Sequence, residues 1–350
     1  MSSFMDRINS LENSTRHGFN KTFCHPDGNT SSVETFQLQT LMYIIPEVLL
    51  IILVAFGNIL VLVAVWRFRE LQTSTNIFVV NLAIADLSVA LFILPLHITI
   101  FIIPALKSVF VICMLRYCGI FLSTGSSGLI LLLISIDRFI AIEKPYSYPT
   151  IMTTRVSKFL CAAAWTFVLG YASLPLLGWN DWTPCVRCTF SIVLPSTYVT
   201  FIMCYVFIDV IIIGAINAKI FHTANKVSRQ ISGQAASVSG ERNDSKYKTM
   251  FLKNKKAAKG LLLVFGVFSI CVLPFTIFTL WEIHALDSDS REKYDIVRIF
   301  TTFMGIANSA MNPVIYHRRM PQFRIAFRKL LNLKSMVNSQ LPSDELGPRS

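Results

Sequence analysis

Residues 41–66 read LMYIIPEVLLIILVAFGNILVLVAVW, an apolar run whose sole charged residue is Glu47. A helix rises 1.5 Å per residue and needs about 20 apolar residues to cross a bilayer, so this run is long enough to span one. It is not alone. Comparable runs follow over Asn76–Ile103, Ile112–Ile142, Val156–Leu177, Thr197–Phe221, Ala257–Ile283 and Ile296–Tyr316. Of the 350 residues 53% are hydrophobic and 15% charged, against about 25% charged in an ordinary soluble domain. A surface so poor in charge cannot face water everywhere. The pattern excludes a soluble enzyme, a disordered chain and a disulfide scaffold. It predicts an all-α membrane protein, a seven-transmembrane helix bundle.

The net charge of +12 is gathered into alternate connections. Arg67 and Arg69, Arg155 and Lys158, Lys246 to Lys259, and Arg318 to Lys334 carry most of it. Basic loops stay on the cytoplasmic side, which places the N-terminus outside and makes membrane lipids, not nucleic acid, the expected partner of this charge. Residues 1–40 are then an extracellular tail, and the sequons at Asn13, Asn20 and Asn29 are glycosylation candidates. No basic region followed by an apolar stretch precedes the first run, so no cleavable signal peptide is expected. The bundle occupies 41–316, and 317–350 form an amphipathic helix and a cytoplasmic tail. Phe323, Phe327 and Leu330 recur at helical spacing with Arg324, Arg328 and Lys329 between them, which predicts a short eighth helix in the membrane interface. Val227 to Lys253, rich in Ser, Gly and Lys, reads as a flexible connection.

Within such apolar spans the few polar residues carry the information. An ionisable group at the bilayer centre costs on the order of 2.5–3.5 kcal/mol, so Asp86 needs compensation. Asn58, Ser127, Asn308, Ser309 and Asn312 are the candidates. Oxygens around one carboxylate suit a small hard cation, making Asp86, Ser127, Asn308 and Asn312 a candidate sodium site. A hydrogen-bonded structural network around a protonated Asp86 is the other reading. Pro274 and Pro313 interrupt the last two spans and permit bends. Asp209, about halfway through the fifth span, reads either as an acid tucked between helices or as a sensing group. Asp137 and Arg138 stand side by side at the inner end of the third span.

Taken together, Gly57-Asn58, Leu82-Ala-Ile-Ala-Asp86, Cys113, Asp137-Arg138-Phe139, Trp165, Pro274 and Asn312-Pro-Val-Ile-Tyr316 resemble the rhodopsin-like (class A) G-protein-coupled receptors over about residues 41 to 333. The resemblance implies a non-enzymatic receptor of the plasma membrane that activates a heterotrimeric G protein and also meets arrestin. Arg138 is the implied G-protein contact, with Asp137 holding it at rest and Tyr316 on the same coupling face. It also implies a disulfide between Cys113 and Cys188, leaving Cys24 and Cys185 outside for a second bridge.

Stretches similar to adenosine receptors recur: Glu47 eleven residues before Asn58, Leu176-Leu-Gly-Trp-Asn180, Cys188-Thr-Phe190 and Lys255-Lys256-Ala-Ala-Lys259. By that likeness Phe190 stacks on an adenine ring and Thr124 meets a ribose, within a ligand site that also takes in Ile120, Phe121, Thr276, Thr279, Ile306, Glu47 and His97. Adenosine or a related purine or nucleoside, read out through cyclic AMP, is the expected ligand. A peptide, lipid or proton ligand is the alternative, and a secondary transporter the remote one. Ile120 stands where amine receptors carry an aspartate, and Ile306 where opsins carry the retinal lysine, so neither ligand is expected.

Departures from the pattern matter too. Thr279 replaces the asparagine that reads adenine, Ser191 the loop glutamate, and Gly305 and Ile306 the ribose-binding serine and histidine. Val272 replaces the tryptophan below the pocket. Asn254 replaces the acid that restrains the arginine, which predicts raised basal signalling. Glu47 and His97 lie eleven residues outward of Asn58 and Asp86, hence at similar depth, about 16 Å up. The two are expected to pair, with Thr302 nearby. No resident cofactor is expected beyond an allosteric sodium ion.

Overall fold

The structure, a computed structural model, describes residues 33–183, 188–234, 242–286 and 292–332. Residues up to Tyr43 form one compact unit and those from Ile44 onward another; of the first, the helical backbone from Val33 is described. The helices are α1 (Val33–Arg67), α2 (Ser74–Ile102), α3 (Phe110–Glu143), α4 (Thr154–Ala172), α5 (Ser196–Gln234), α6 (Arg242–Ala285), α7 (Asp295–Arg319) and α8 (Pro321–Leu330). No strand occurs among the described residues.

Five of these rods contain stretches long and apolar enough to cross a membrane: Ile44–Arg67, Ser74–Ile102, Phe110–Glu143, Ser196–Val227 and Leu262–Ala285. The other two that complete the seven, α4 and α7, fall short for visible reasons. Arg155 and Lys158 sit in the first turns of α4, and α7 carries Thr301, Thr302, Asn308, Ser309 and Asn312. Of these polar residues of α7, Asn308, Ser309 and Asn312 are buried, while Thr301 and Thr302 donate to carbonyls of their own helix.

Local chemistry sets the helix ends. Thr73 and Thr153 have extended backbones, and their hydroxyls accept from the amides of Asn76 and Val156, each at 3.3 Å. Such N-caps satisfy amides that the helix itself cannot. Within α2 the residues Val89–Ile93 form a single wider π turn, with the Leu94 amide bonding back to the Val89 carbonyl. Pro95 explains it: the ring would clash with the carbonyl four residues earlier and offers no N–H, and one wide turn relieves both. Where α1 meets α7, a Cβ on Gly57 would stand 2.8 Å from Pro313, so only glycine lets the two backbones come this close.

Side chains such as Phe78, Leu82, Ile130, Ile134, Phe268 and Tyr316 fill the bundle interior. Trp165 on α4 donates to Asn81 on α2 at 3.1 Å. Leu49, Ile52, Leu53 and Phe56 of α1 are left exposed, as a lipid-facing surface requires.

Two expectations need correction. The connection over Val227–Lys253 is largely helical, since α5 runs on to Gln234 and α6 already begins at Arg242. Extending an existing helix adds one bond per residue without a new nucleus, so composition alone misled. In α8 the apolar stripe is not offered wholly to the membrane: Phe323 and Phe327 are buried, Phe323 against Tyr316 at 5.4 Å and Phe327 stacked on His317 at 6.2 Å.

Candidate functional site

Arg138 lies near the end of α3 and is held there by three groups. Its Nε donates to Asp137 Oδ2 at 2.8 Å and its Nη2 to the Tyr148 hydroxyl at 3.1 Å and to Thr75. Asp137 is fully buried and accepts from Tyr148 at 2.8 Å and from Thr75 at 2.9 Å. The clasp thus joins α3, the start of α2 and the one-turn helix Tyr148–Ile151. Burial holds the Tyr148 hydroxyl above its ordinary titration range, with the Arg138 charge acting against it, so it remains a donor to Asp137 at physiological pH. Sequence reasoning found Asp137 and Arg138 and missed Thr75 and Tyr148. The Asn254 side chain lies outside the described residues.

At mid-bundle Asp86 is fully buried, and Asn312 donates to its Oδ2 at 2.8 Å. Asn58 donates to the carbonyls of Val54 and Ser309, each at 3.0 Å, tying α1 to α7. Ser123 donates to the Ala85 carbonyl at 3.0 Å. Against this, Asp86 Oδ1, Asn58 Oδ1, Asn308 Oδ1 and Asn312 Oδ1 have no hydrogen-bond partner among the described residues. Buried oxygens left unpartnered are uncommon and call for water or an ion. One carboxylate among amide oxygens is a donor set that fits a small hard monovalent cation.

Adjoining this cluster through Ser127, Asn308 and Ser309 lies a cavity of about 60 Å³, room for water or an ion and well below the 300–1,000 Å³ typical of ligand sites. Ile120, Thr124 and Ser127 line it from α3, Val272 and Phe275 from α6, and Thr302, Ile306 and Asn308 from α7. The structure therefore brings Ile120, Thr124, Ile306, Ser127 and Asn308 to one space. Phe275 is an addition that spacing did not suggest. Phe190 is not in the cavity wall but packs against Tyr117 at 5.7 Å and Phe121 at 6.2 Å. Thr276 and Thr279 are buried away from the cavity, and Thr276 donates to its own helix at the Val272 carbonyl.

The disulfide Cys113–Cys188 ties α3 to the loop two residues before Phe190. Tyr117 donates to the Cys188 carbonyl at 3.3 Å. His97 Nδ1 lies 2.6 Å from Glu47 Oε1, the contact that equal depth predicts. Thr302 turns to its own helix, donating to the Arg298 carbonyl at 2.7 Å. Sequence reading missed the ion pair of Arg298 with buried Glu282 at 2.8 Å, because no local pattern links residues on different helices. Asp209 is buried, and its Oδ2 occupies space that a Cβ on Gly128 would crowd at 2.6 Å. Asn13, Asn20, Asn29, Cys24 and Cys185 lie outside the described residues.

The family model described as 7 transmembrane receptor (rhodopsin family) matches residues 57–316. Among curated proteins the chain is similar to "Adenosine receptor A2a" of Cavia porcellus, 30% identical over 306 residues, covering 83% of this chain and 72% of that one. It is 31% identical over 314 residues to "Adenosine receptor A2b" of Gallus gallus, covering 83% and 88%. It is also 31% identical over 338 residues to "Probable G-protein coupled receptor No18" of Amphibalanus amphitrite, covering 81% and 87%.

Proposed function

The chain belongs to the rhodopsin family of seven-transmembrane receptors, and from that premise we propose that it carries an extracellular small-molecule signal to a heterotrimeric G protein. Its family is one of receptors, not enzymes. In this reading the chain resides in the plasma membrane with its N-terminus outside and Arg138 at the cytoplasmic end. The ligand is a purine or nucleoside that enters at the Phe190 end, and cyclic AMP is the downstream readout. Lipids surround the exposed apolar faces, and arrestin is a second cytoplasmic partner.

The observation that carries the reading is the Arg138 clasp. A guanidinium held by Asp137, Thr75 and Tyr148 is a charge withheld from any partner at that end until the helices move. The unpartnered oxygens around Asp86 support a sodium ion that steadies the same resting arrangement. Radiolabelled GTP-analogue exchange with a nucleoside panel, repeated on Phe190→Ala and Arg138→Ala, tests the proposal. Exchange driven by a purine and lost in Arg138→Ala is the expected result; exchange that survives Arg138→Ala overturns it.

The recognition of adenosine itself has less to rest on. Gly305 and Ile306 line the cavity without a side-chain polar group, and Thr276 spends its hydroxyl on its own helix. A site built from hydrogen bonds discriminates strongly; one built from apolar walls favours a ligand with fewer polar edges.

A further inference from the structure

We propose that Arg116 is the recognition group for an acidic function on the ligand, so that this receptor takes an organic anion, a carboxylate or phosphate carried on a planar apolar body. The proposal rests on the reading of the chain as a receptor with a ligand at the Phe190 end, and does not require the ligand to be a purine.

Spacing gives the first argument. Ile120 lies four residues after Arg116, Ser123 and Thr124 lie three and four after Ile120, and Ser127 lies four and three after those two, so the five form one stripe of α3. The last four all line the cavity. Arg116 therefore crowns the cavity wall, about 6 Å outward of Ile120 and about 16 Å outward of Ser127.

Burial gives the second argument. Val111 and Leu115 mark the exposed side of this part of α3, whereas Arg116 is half-buried and its Nε is fully enclosed. That Nε has no hydrogen-bond partner among the described residues. The guanidinium carbon sits 5.5 Å from the ring centre of Tyr117, which is itself edge-on to Phe190. The charge thus lies beside the aromatic residues at the mouth, not among the exposed side chains that face lipid.

The carboxylates on the outer half of the bundle complete the case. Glu47 is in contact with His97, and Glu282 is paired with Arg298. Asp181, exposed in the outer loop, forms no ion pair with Arg116. Among the described residues Arg116 has no carboxylate within ion-pair distance. A half-buried guanidinium without a counter-charge, with an enclosed unpartnered donor, is matched by a planar oxyanion, which it binds through two parallel hydrogen bonds. The walls below it, Ile120, Val272, Phe275 and Ile306, are apolar and offer little to the hydroxyls of a free ribose; the cavity they enclose, about 60 Å³, has to widen before the ligand's apolar body enters it.

The test compares acids with neutral partners of the same shape on the purified full-length receptor in lipid nanodiscs. Adenosine 5′-monophosphate is paired with adenosine, and 2-naphthoate with 2-naphthamide, at millimolar concentration, with thermal unfolding as the readout. At least one acid is expected to raise the melting temperature saturably while its neutral partner does not. Arg116→Gln is expected to weaken that acid at least about tenfold, equivalent to about 1.4 kcal/mol, and Arg116→Lys to keep part of the response. The phosphate and carboxylate arms show which oxyanion is preferred. If Arg116→Gln does not fold, Arg116→Lys alone decides, by weakening the acid and leaving the neutral compound unchanged. A failure of both acids to stabilise the wild type overturns the proposal. So does equal stabilisation by the neutral partners, or an unaltered response in the Arg116 variants. Adenosine acting alone and independently of Arg116 overturns it and leaves the purine reading standing.

Discussion

The Arg138 clasp and the Asp86 cluster are both buried polar assemblies in one bundle, and they are finished to different degrees. Around Arg138 both carboxylate oxygens of Asp137 are used, Thr75 and Tyr148 are shared, and the guanidinium is enclosed. Around Asp86 four oxygens from α1, α2 and α7 lack partners among the described residues. In a low-dielectric interior a satisfied network holds one arrangement, while an unsatisfied one favours whatever arrangement or occupant supplies the missing bonds. The bundle is therefore closed at one end and receptive in the middle. That is the asymmetry a signal-carrying protein needs.

Breaking the clasp outright gives the largest expected effect. Arg138→Ala should reduce G-protein nucleotide exchange to the level of cells lacking the receptor, with surface expression retained. Next is the unfinished cluster. Asp86→Ala strands the Asn312 amide and should lower stability by about 1–3 kcal/mol, read as a fall in melting temperature. The same variant should abolish any response of melting temperature to sodium chloride against choline chloride. A wild type with no such response would remove the ion from this account.

A smaller effect is expected at the other end of α2. The Glu47–His97 pair is partly exposed, with side chains 12% and 30% accessible, so its strength is discounted for screening. A double-mutant cycle of Glu47→Gln and His97→Ala should return a coupling of about 0.5–1 kcal/mol. Zero coupling would mean that the contact is incidental. The smallest change is Tyr148→Phe, which removes the hydroxyl's contacts with Asp137, Arg138 and Thr75 and spares the rest of the clasp. Basal exchange, already expected above a vector control, should rise by about twofold, or about 0.4 kcal/mol. A basal level equal to vector would contradict the expectation drawn from Asn254.

The span pattern was legible because hydrocarbon permits so little variation: one run such as 41–66 states its environment by composition. Asp86 with Asn312, and Asp137 with Arg138, were legible because ionisable groups in apolar helices stand out. What escaped depends on tertiary approach. Thr75 and Tyr148 reach Asp137 from 62 and 11 residues away, and neither is unusual where it stands. Glu282 and Arg298 meet only because α6 and α7 turn back on each other. The helical continuation from Val227 to Gln234 went unread because polar composition marks solvent exposure, not the end of a helix.

The wide turn at Val89–Ile93 adds one residue to a cycle of α2, and everything outward of it is rotated by about 100° relative to a regular helix. His97 faces Glu47 only in that phase. A residue-by-residue alignment of this chain with any helix lacking the turn would match positions beyond Leu94 that point in different directions. Comparisons of the outer third of α2 should therefore be made with a one-position offset, and deleting a single residue there would swing His97 off its partner while leaving both His97 and Glu47 in the sequence.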